Sequence, residues 1–268
     1  MDYLEDKKLL ELRFSNGMMI LPFVRYKLLC SKNQDNTSSS SRNPVSKPTI
    51  FFRLFSNLIR IRVKKKTLVF FSSTLFNVEV EGEKGIYYNS MDGYYYDLFP
   101  EDSLLIEDAD EEFEWRAKNS YKSMSFIRTY LLFLSFTLSR VFNKIKPIRR
   151  IDFDYIIKNY PELYTIEELG RLDYFHRIYY SLIKWVLKKT QCNLIAVNCG
   201  SYGETYAPLI KAAHDLGIKV IEMQHGAILQ SHLGYHADDF IVNHDEYATY
   251  LPDILYSFGD YWKQYIEV

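Results

Sequence analysis

Residues 193–199 read NLIAVNC, residues 202–216 read YGETYAPLIKAAHDL and residues 219–223 read KVIEM, with Gly217 just after the middle stretch. The outer two are short apolar runs of the kind a buried strand needs. The middle one carries a helical apolar pattern, and Gly217 is placed to cap its carboxyl end. Strand, helix and strand within about thirty residues make a βαβ unit, whose right-handed crossover sets the two strands parallel. A parallel sheet is covered on both faces, so its strands read as continuous apolar runs rather than as alternating ones. The unit therefore predicts an α/β domain.

Working outward, residues 67–71 (TLVFF) follow a basic patch and read as the first buried strand. Residues 104–106 read as a second, after the turn residues Pro100 and Asp102. Between them Tyr87, Tyr88, Tyr94, Tyr95 and Tyr96 surround Asp92-Gly93. Tyrosines grouped in this way either pack half-buried or stack on sugar rings, and packing is the expected role. Apolar spacings near 3.6 predict two long amphipathic helices, 120–142 and 166–189. The acidic run Glu107, Asp108, Asp110, Glu111, Glu112 and Glu114 is expected to be a solvated helix start, favoured by the helix dipole, rather than a metal site or a paired-carboxylate centre.

Residues 31–48 (SKNQDNTSSSSRNPVSKP) are too polar to offset their ordering entropy and predict a mobile loop. After them Phe51, Phe55, Leu58 and Ile59 recur at helical spacing among Arg53, Arg60 and Arg62, with Lys64 to Lys66 next. A core helix with solvated basic flanks is the expected form. The alternative is a peripheral contact of residues 50–66 with an anionic membrane surface. The expected division is an N-terminal segment 1–49, a sheet domain 50–250, and a strand and turn, 251–268, leading away from it.

The chain has 268 residues and is 47% hydrophobic, enough for one generous domain or two small ones. Its 33 basic and 34 acidic side chains leave no net field for a polyanion, so nucleic acid is not an expected partner. Cys30, Cys192 and Cys199 form no CxxC pair, which argues against a zinc site or a redox dithiol and fits a reduced, cytoplasmic protein. The start, with Asp2, Glu5 and Asp6 beside Lys7 and Lys8, does not resemble a secretory signal. The longest uncharged, largely apolar stretch, residues 129–139, falls short of the ~20 residues of a spanning helix.

In parallel sheets ligands bind beyond the carboxyl ends of the strands. Gly200-Ser201-Tyr202-Gly203 follows the first strand of the βαβ unit and Gln224-His225-Gly226 follows the second. The glycines of the first loop permit a tight turn and close approach of a ligand to the backbone. Three roles are open to His225: general base, cation for a phosphate, or a satisfied histidine closing a strand. Cys199 is expected to be a small buried thiol rather than a nucleophile. His232 and His236 stand four apart, but Gly234 between them and the lack of an HExxH pattern argue against zinc, and no metal site is expected. GxGxxG with its trailing acid, GxxxxGK[ST] and GxSxG are all absent, which excludes a nicotinamide enzyme, a P-loop nucleotidase and an α/β-hydrolase.

From Asn198 to Trp262 the chain reads NCGSYG, KAAHDLGIKVIEMQHG, HLGY and LPDILYSFGDYW in order. This succession resembles bacterial glycosyltransferases of GT-B type used in capsule or lipopolysaccharide assembly, and a looser similarity covers Lys66 to Glu107. In that family a strand ending in glutamate, one residue and QHG is followed by a proline-aspartate strand and a glycine-aspartate-tyrosine-tryptophan turn into a second domain. The resemblance implies a Rossmann-like parallel sheet with helices on both faces, the amino-terminal half of a GT-B fold. It places Glu222, Gln224, His225 and Gly226 at an interdomain cleft, with His225 and Glu222 as catalytic candidates. Gly200, Ser201, Tyr202, Gly203 and His232 would line the same cleft. The implied reaction moves a sugar from a nucleotide-sugar donor to a glycan or lipid-linked acceptor at the inner face of the plasma membrane, with the nucleotide sugar as co-substrate and no other cofactor. The family's donor-binding half follows the point where this chain ends, so a second domain is expected to be missing or supplied by a separate chain. Two other functions compete. One is a nucleotide-sugar epimerase of the same architecture, and the other a non-catalytic scaffold or binding protein of polysaccharide assembly.

Overall fold

The computed structural model describes residues 6–31, 63–73, 76–108, 124–226, 235, 241 and 243–263. Eight strands are present among them: β1 (Leu68–Ser73), β2 (Asn77–Glu79), β3 (Tyr87–Asn89), β4 (Ser103–Asp108), β5 (Met124–Ser125), β6 (Leu194–Val197), β7 (Lys219–Met223) and β8 (Ile254–Tyr256). β2 and β3 form a small antiparallel hairpin. The other six make one sheet in the order β5-β4-β1-β6-β7-β8, and every neighbouring pair is parallel. The chain builds outward from β1 through β4 to β5, then returns and lays β6, β7 and β8 on the other side. This is the doubly wound, Rossmann-like arrangement, and its order reverses between β1 and β6.

The helices are α1 (Leu21–Ser31), α2 (Gly93–Leu98), α3 (Ile127–Ile145), α4 (Ile151–Asn159), α5 (Ile166–Thr190), α6 (Tyr206–His214), α7 (Asp245–Ala248) and α8 (Asp260–Lys263). Successive side chains of β1 alternate between two cores. Val69 and Phe71 join Leu104, Ile106, Ile195 and Val197 against Ile183 and Leu187 of α5 and Leu209 and Ile210 of α6. Phe70 joins Leu105, Ala196 and Met223 on the opposite face, where Tyr96 of α2 and Tyr88 of the hairpin cover a smaller core. Two of the expected tyrosines therefore pack, while Tyr94 and Tyr95 stay exposed.

The expected helix 166–189 is α5, started by a capping box in which Thr165 and Glu168 satisfy each other's backbone N–H groups. The expected helix 120–142 begins at Ile127, because Met124 and Ser125 are drawn into the sheet beside β4. The helical pattern of 202–216 also starts late. Gly200–Tyr202 forms a single 3-10 turn, Gly203 and Glu204 take positive φ of 81° and 47°, and α6 begins only at Tyr206. Gly217, at φ +70°, turns the chain out of that helix into β7.

Glu107 and Asp108 overturn the reading of the acidic run as a solvated helix start. They are the last two residues of β4, Glu107 is fully buried, and Asp108 is ion-paired with Arg128. The rest of that run lies outside the described residues, as do the predicted loop beyond Ser31, the stretch 50–62, His232 and His236.

Within the segment 1–49, the residues Leu9, Leu12, Phe14, Met19 and Phe23 are buried against Phe153 and Ile156 of α4, Leu169 of α5, and Tyr247 and Tyr250. Asp6 fastens this core by accepting from the hydroxyls of Tyr155 and Tyr160. Among the described residues no helix is long and apolar enough to cross a membrane.

Candidate functional site at the carboxyl ends of the sheet

Buried polar side chains gather where β1, β4, β6 and β7 end. Ser72, Glu107, Asn198 and Glu222 all occupy the last residues of strands or the first residue beyond, and each is at most 1% exposed. A sheet core has no use for such groups, so their concentration at one end marks the functional face.

The first cluster centres on His225. Glu222 points from β7 into the protein, where its Oε2 accepts from the backbone N–H of Ser201 at 2.8 Å and from the Ser201 hydroxyl at 2.5 Å. Its Oε1 accepts from the Tyr235 hydroxyl at 2.9 Å. Burial pushes this carboxyl upward, and the bonds from Ser201 and Tyr235 oppose that by stabilising the charged form. The Tyr235 oxygen also stands 3.4 Å from Nδ1 of the half-buried His225. On the other edge of the imidazole, Nε2 lies 3.3 Å from the Tyr202 hydroxyl and 3.7 Å from the Cys199 sulfur. Carboxylate, phenol and imidazole thus stand in series, with Tyr235 linking Glu222 to the histidine. Cys199 is a protonated thiol at neutral pH: burial and the neighbouring Glu222 push it up to about 12, against the pull of Arg128.

The second cluster lies on the other side of the switch point. Asn198 donates to Oδ2 of Asp92 at 3.0 Å, Asn89 donates to the Ser72 hydroxyl at 2.9 Å, and Asn77 donates to Oε1 of Glu107 at 2.7 Å. Oδ1 of Asp92 and Oε2 of Glu107 are buried and accept no hydrogen bond from the described residues. A bare carboxylate is costly there, and a proton relieves it. Burial raises Asp92 to about 6 against its bonds from Ser72 and Asn198. Burial raises Glu107 to about 7, with Asp92 adding to the rise and Asn77 and Asn89 opposing it. Two acids that exchange protons near neutrality can do acid–base work. Behind both clusters the buried Arg128 pairs with Asp108, donates to the Tyr179 hydroxyl at 3.0 Å and to Thr205 Oγ1 at 3.2 Å, and lies over the Tyr206 ring.

Ser201, Tyr202, Glu222 and His225 are brought together, while Gln224, Gly200 and Gly203 have other occupations. Gln224 is buried and braces the loop to the last strand, donating to the Gly226 carbonyl at 2.7 Å and accepting from Phe258 N–H at 2.8 Å. At Gly200 a Cβ would meet Pro252 and Val197 at 2.8 Å, and at Gly203 it would meet the Pro22 carbonyl at 2.0 Å. Those two glycines admit neighbouring protein. At Gly226 a Cβ would meet nothing within 4 Å among the described residues.

Sequence reasoning missed Tyr235, Asp92, Asn198 and Arg128 as members of the site. Arg128 had a signal, a lone cation in the first turn of an apolar helix, where the dipole disfavours it. Asp92 and Asn198 had none, because they meet only through the crossover. Among the described residues no group of three or more His, Cys, Asp or Glu side chains is placed to hold a metal ion. No family model, no curated protein and no solved structure matches this chain.

Proposed function

We propose that this face carries out glycosyl transfer, moving a sugar from a nucleotide-sugar donor to a hydroxyl of a glycan or lipid-linked acceptor. The observation that carries the proposal is the series Glu222, Tyr235, His225 at the carboxyl end of a doubly wound sheet. The resemblance of the stretch from Asn198 to Trp262 to GT-B enzymes of surface polysaccharide assembly supports the choice of substrate class.

Tyr235 donates its proton to Glu222, and its oxygen can accept from Nδ1–H of His225. That tautomer leaves the lone pair on Nε2, the edge where Tyr202 and Cys199 stand. In the reaction Nε2 takes the proton of the acceptor hydroxyl as its oxygen bonds to the anomeric carbon. The bond from that carbon to the phosphate oxygen breaks, and the nucleoside diphosphate leaves with the electron pair. Glu222, buried and fully bonded, is a positioning residue that steadies the imidazolium formed on the way. The loop from Gly200 leads into α6, whose first N–H groups lie at the same end of the sheet as the departing charge.

Calorimetric titration of the chain with nucleoside diphosphates and nucleotide sugars tests the proposal. Binding is expected for at least one of them, and His225→Ala is expected to keep that binding and the unfolding midpoint while transfer to an acceptor falls about a hundredfold or more. Unchanged transfer by a folded His225→Ala chain overturns the reading, whereas a folded wild type that binds none of the nucleotides leaves donor binding to the second domain that the resemblance implies.

A further inference from the structure

The other end of α3 presents a surface that sugar transfer does not use. Between Lys144 and Ile151 the chain reads KIKPIRRI, four basic residues and no acidic one. Ile145 closes the helix with 76% of its surface exposed, and Ile151 opens α4 with 83% exposed. Val141, one helical turn before Ile145, and the neighbouring Phe142 are exposed as well. Isoleucines this bare, at both ends of one turn, are uncommon on a surface that meets only water.

The basic groups around them are largely uncommitted. Arg150 pairs with Asp152 at 3.2 Å, but Arg140, Lys144, Lys146 and Arg149 make no ion pair among the described residues. Beside the turn lies a cavity of about 680 Å³. Arg140, Lys144, Arg149 and Arg171 line it, with Glu167 as its one acidic side chain. The cavity therefore presents positive charge next to two apolar side chains that point away from any core.

We propose that this corner is a membrane-docking surface for anionic lipid, in which Ile145 and Ile151 enter the interface and the arginine-lined cavity takes a lipid phosphate. The charge selects the occupant: a second copy of the chain would set the same four cations against one another, whereas an acidic bilayer surface neutralises them. The apolar side chains are short and flanked by cations, which suits shallow insertion at the headgroup level rather than a span. The surface includes none of residues 50–66 and is independent of the proposed sugar transfer, so either reading can fail alone.

Co-sedimentation with vesicles at low salt decides the matter. The full chain is expected to pellet with phosphatidylcholine vesicles containing 30% phosphatidylglycerol at about that proportion, to release as salt rises, and to ignore pure phosphatidylcholine. The double variant Ile145→Glu/Ile151→Glu is expected to lose about tenfold or more in vesicle affinity, and Lys144→Gln/Arg149→Gln a similar amount, each with an unchanged thermal midpoint. The charge pair serves as the reading if the isoleucine pair does not fold. Four results each overturn the proposal: no pelleting of the wild type, equal pelleting with neutral vesicles, a folded variant that pellets as the wild type does, or a dimer that the isoleucine changes dissociate. Inorganic phosphate that displaces the protein at millimolar concentration would reassign the cavity to a soluble phosphate and likewise overturn the lipid proposal.

Discussion

Asp92 and Glu107 make the fold sensitive to pH in an unusual direction. Their ordinary values of 3.8 and 4.5 rise to about 6 and about 7 in the folded chain, chiefly through burial. Folding therefore favours the protonated acids. The stability this gives is fully present below about pH 4 and is lost as pH rises through 6 and 7. Stability to urea is expected to fall between pH 5 and pH 8, by on the order of 4 kcal/mol in unfolding free energy. The double variant Asp92→Asn/Glu107→Gln should flatten that fall, and a wild-type midpoint constant over the range would remove these acids from the account. At this scale the sequence was half legible. Glu222, Gln224 and His225 stood out as a strand end, and three of their contacts, Ser201, Tyr202 and Cys199, lay on the other loop of the same βαβ unit. Tyr235 did not stand out, because nothing in HLGY tells which of its side chains turns back toward β7.

Among the elements, the short apolar strands were read well, since a parallel strand buried on both faces has little choice of residues. β7 falls on the expected residues, and β1, β4 and β6 fall within two residues or so at each end. The start of α6 was misplaced because two residues in the left-handed region interrupt a sequence whose apolar spacing is otherwise helical. One of them, Gly203, holds the loop against α1, where Glu204 N–H also reaches the Pro22 carbonyl at 3.2 Å. Gly203→Ala meets both the unfavourable φ and that carbonyl, so a loss of about 2–4 kcal/mol is expected by urea denaturation, with the helical content of the surviving fold retained. A loss under about 0.5 kcal/mol would mean that α1 can withdraw from the loop.

For the whole molecule, the strand order and the N-terminal core were the illegible parts. Residues 6–25 show neither a 3.6 nor a 2.0 period, because they lie as a 3-10 turn, a bridge between Arg13 and Met19 and the start of a helix. Yet Phe14 is 1% exposed and touches Phe23, Phe153 and His176. Phe14→Ala is expected to cost about 3–5 kcal/mol in global stability. Because α5 contributes Leu169 to this core and Ile183 and Leu187 to the sheet core, the loss should appear as one shifted transition in calorimetry. A separate early transition would show that the two cores melt independently.

The position of β1 in the sheet also governs how the protein is made. Leu68 pairs with Ser103 on one side but with Leu194 on the other, about 125 residues later in the chain. At about 5–20 residues per second a ribosome needs about 6–25 s to deliver β6 after β1 has emerged. For that interval Phe70 and Phe71 belong to a nascent chain with one open backbone edge, the kind of surface that chaperones hold.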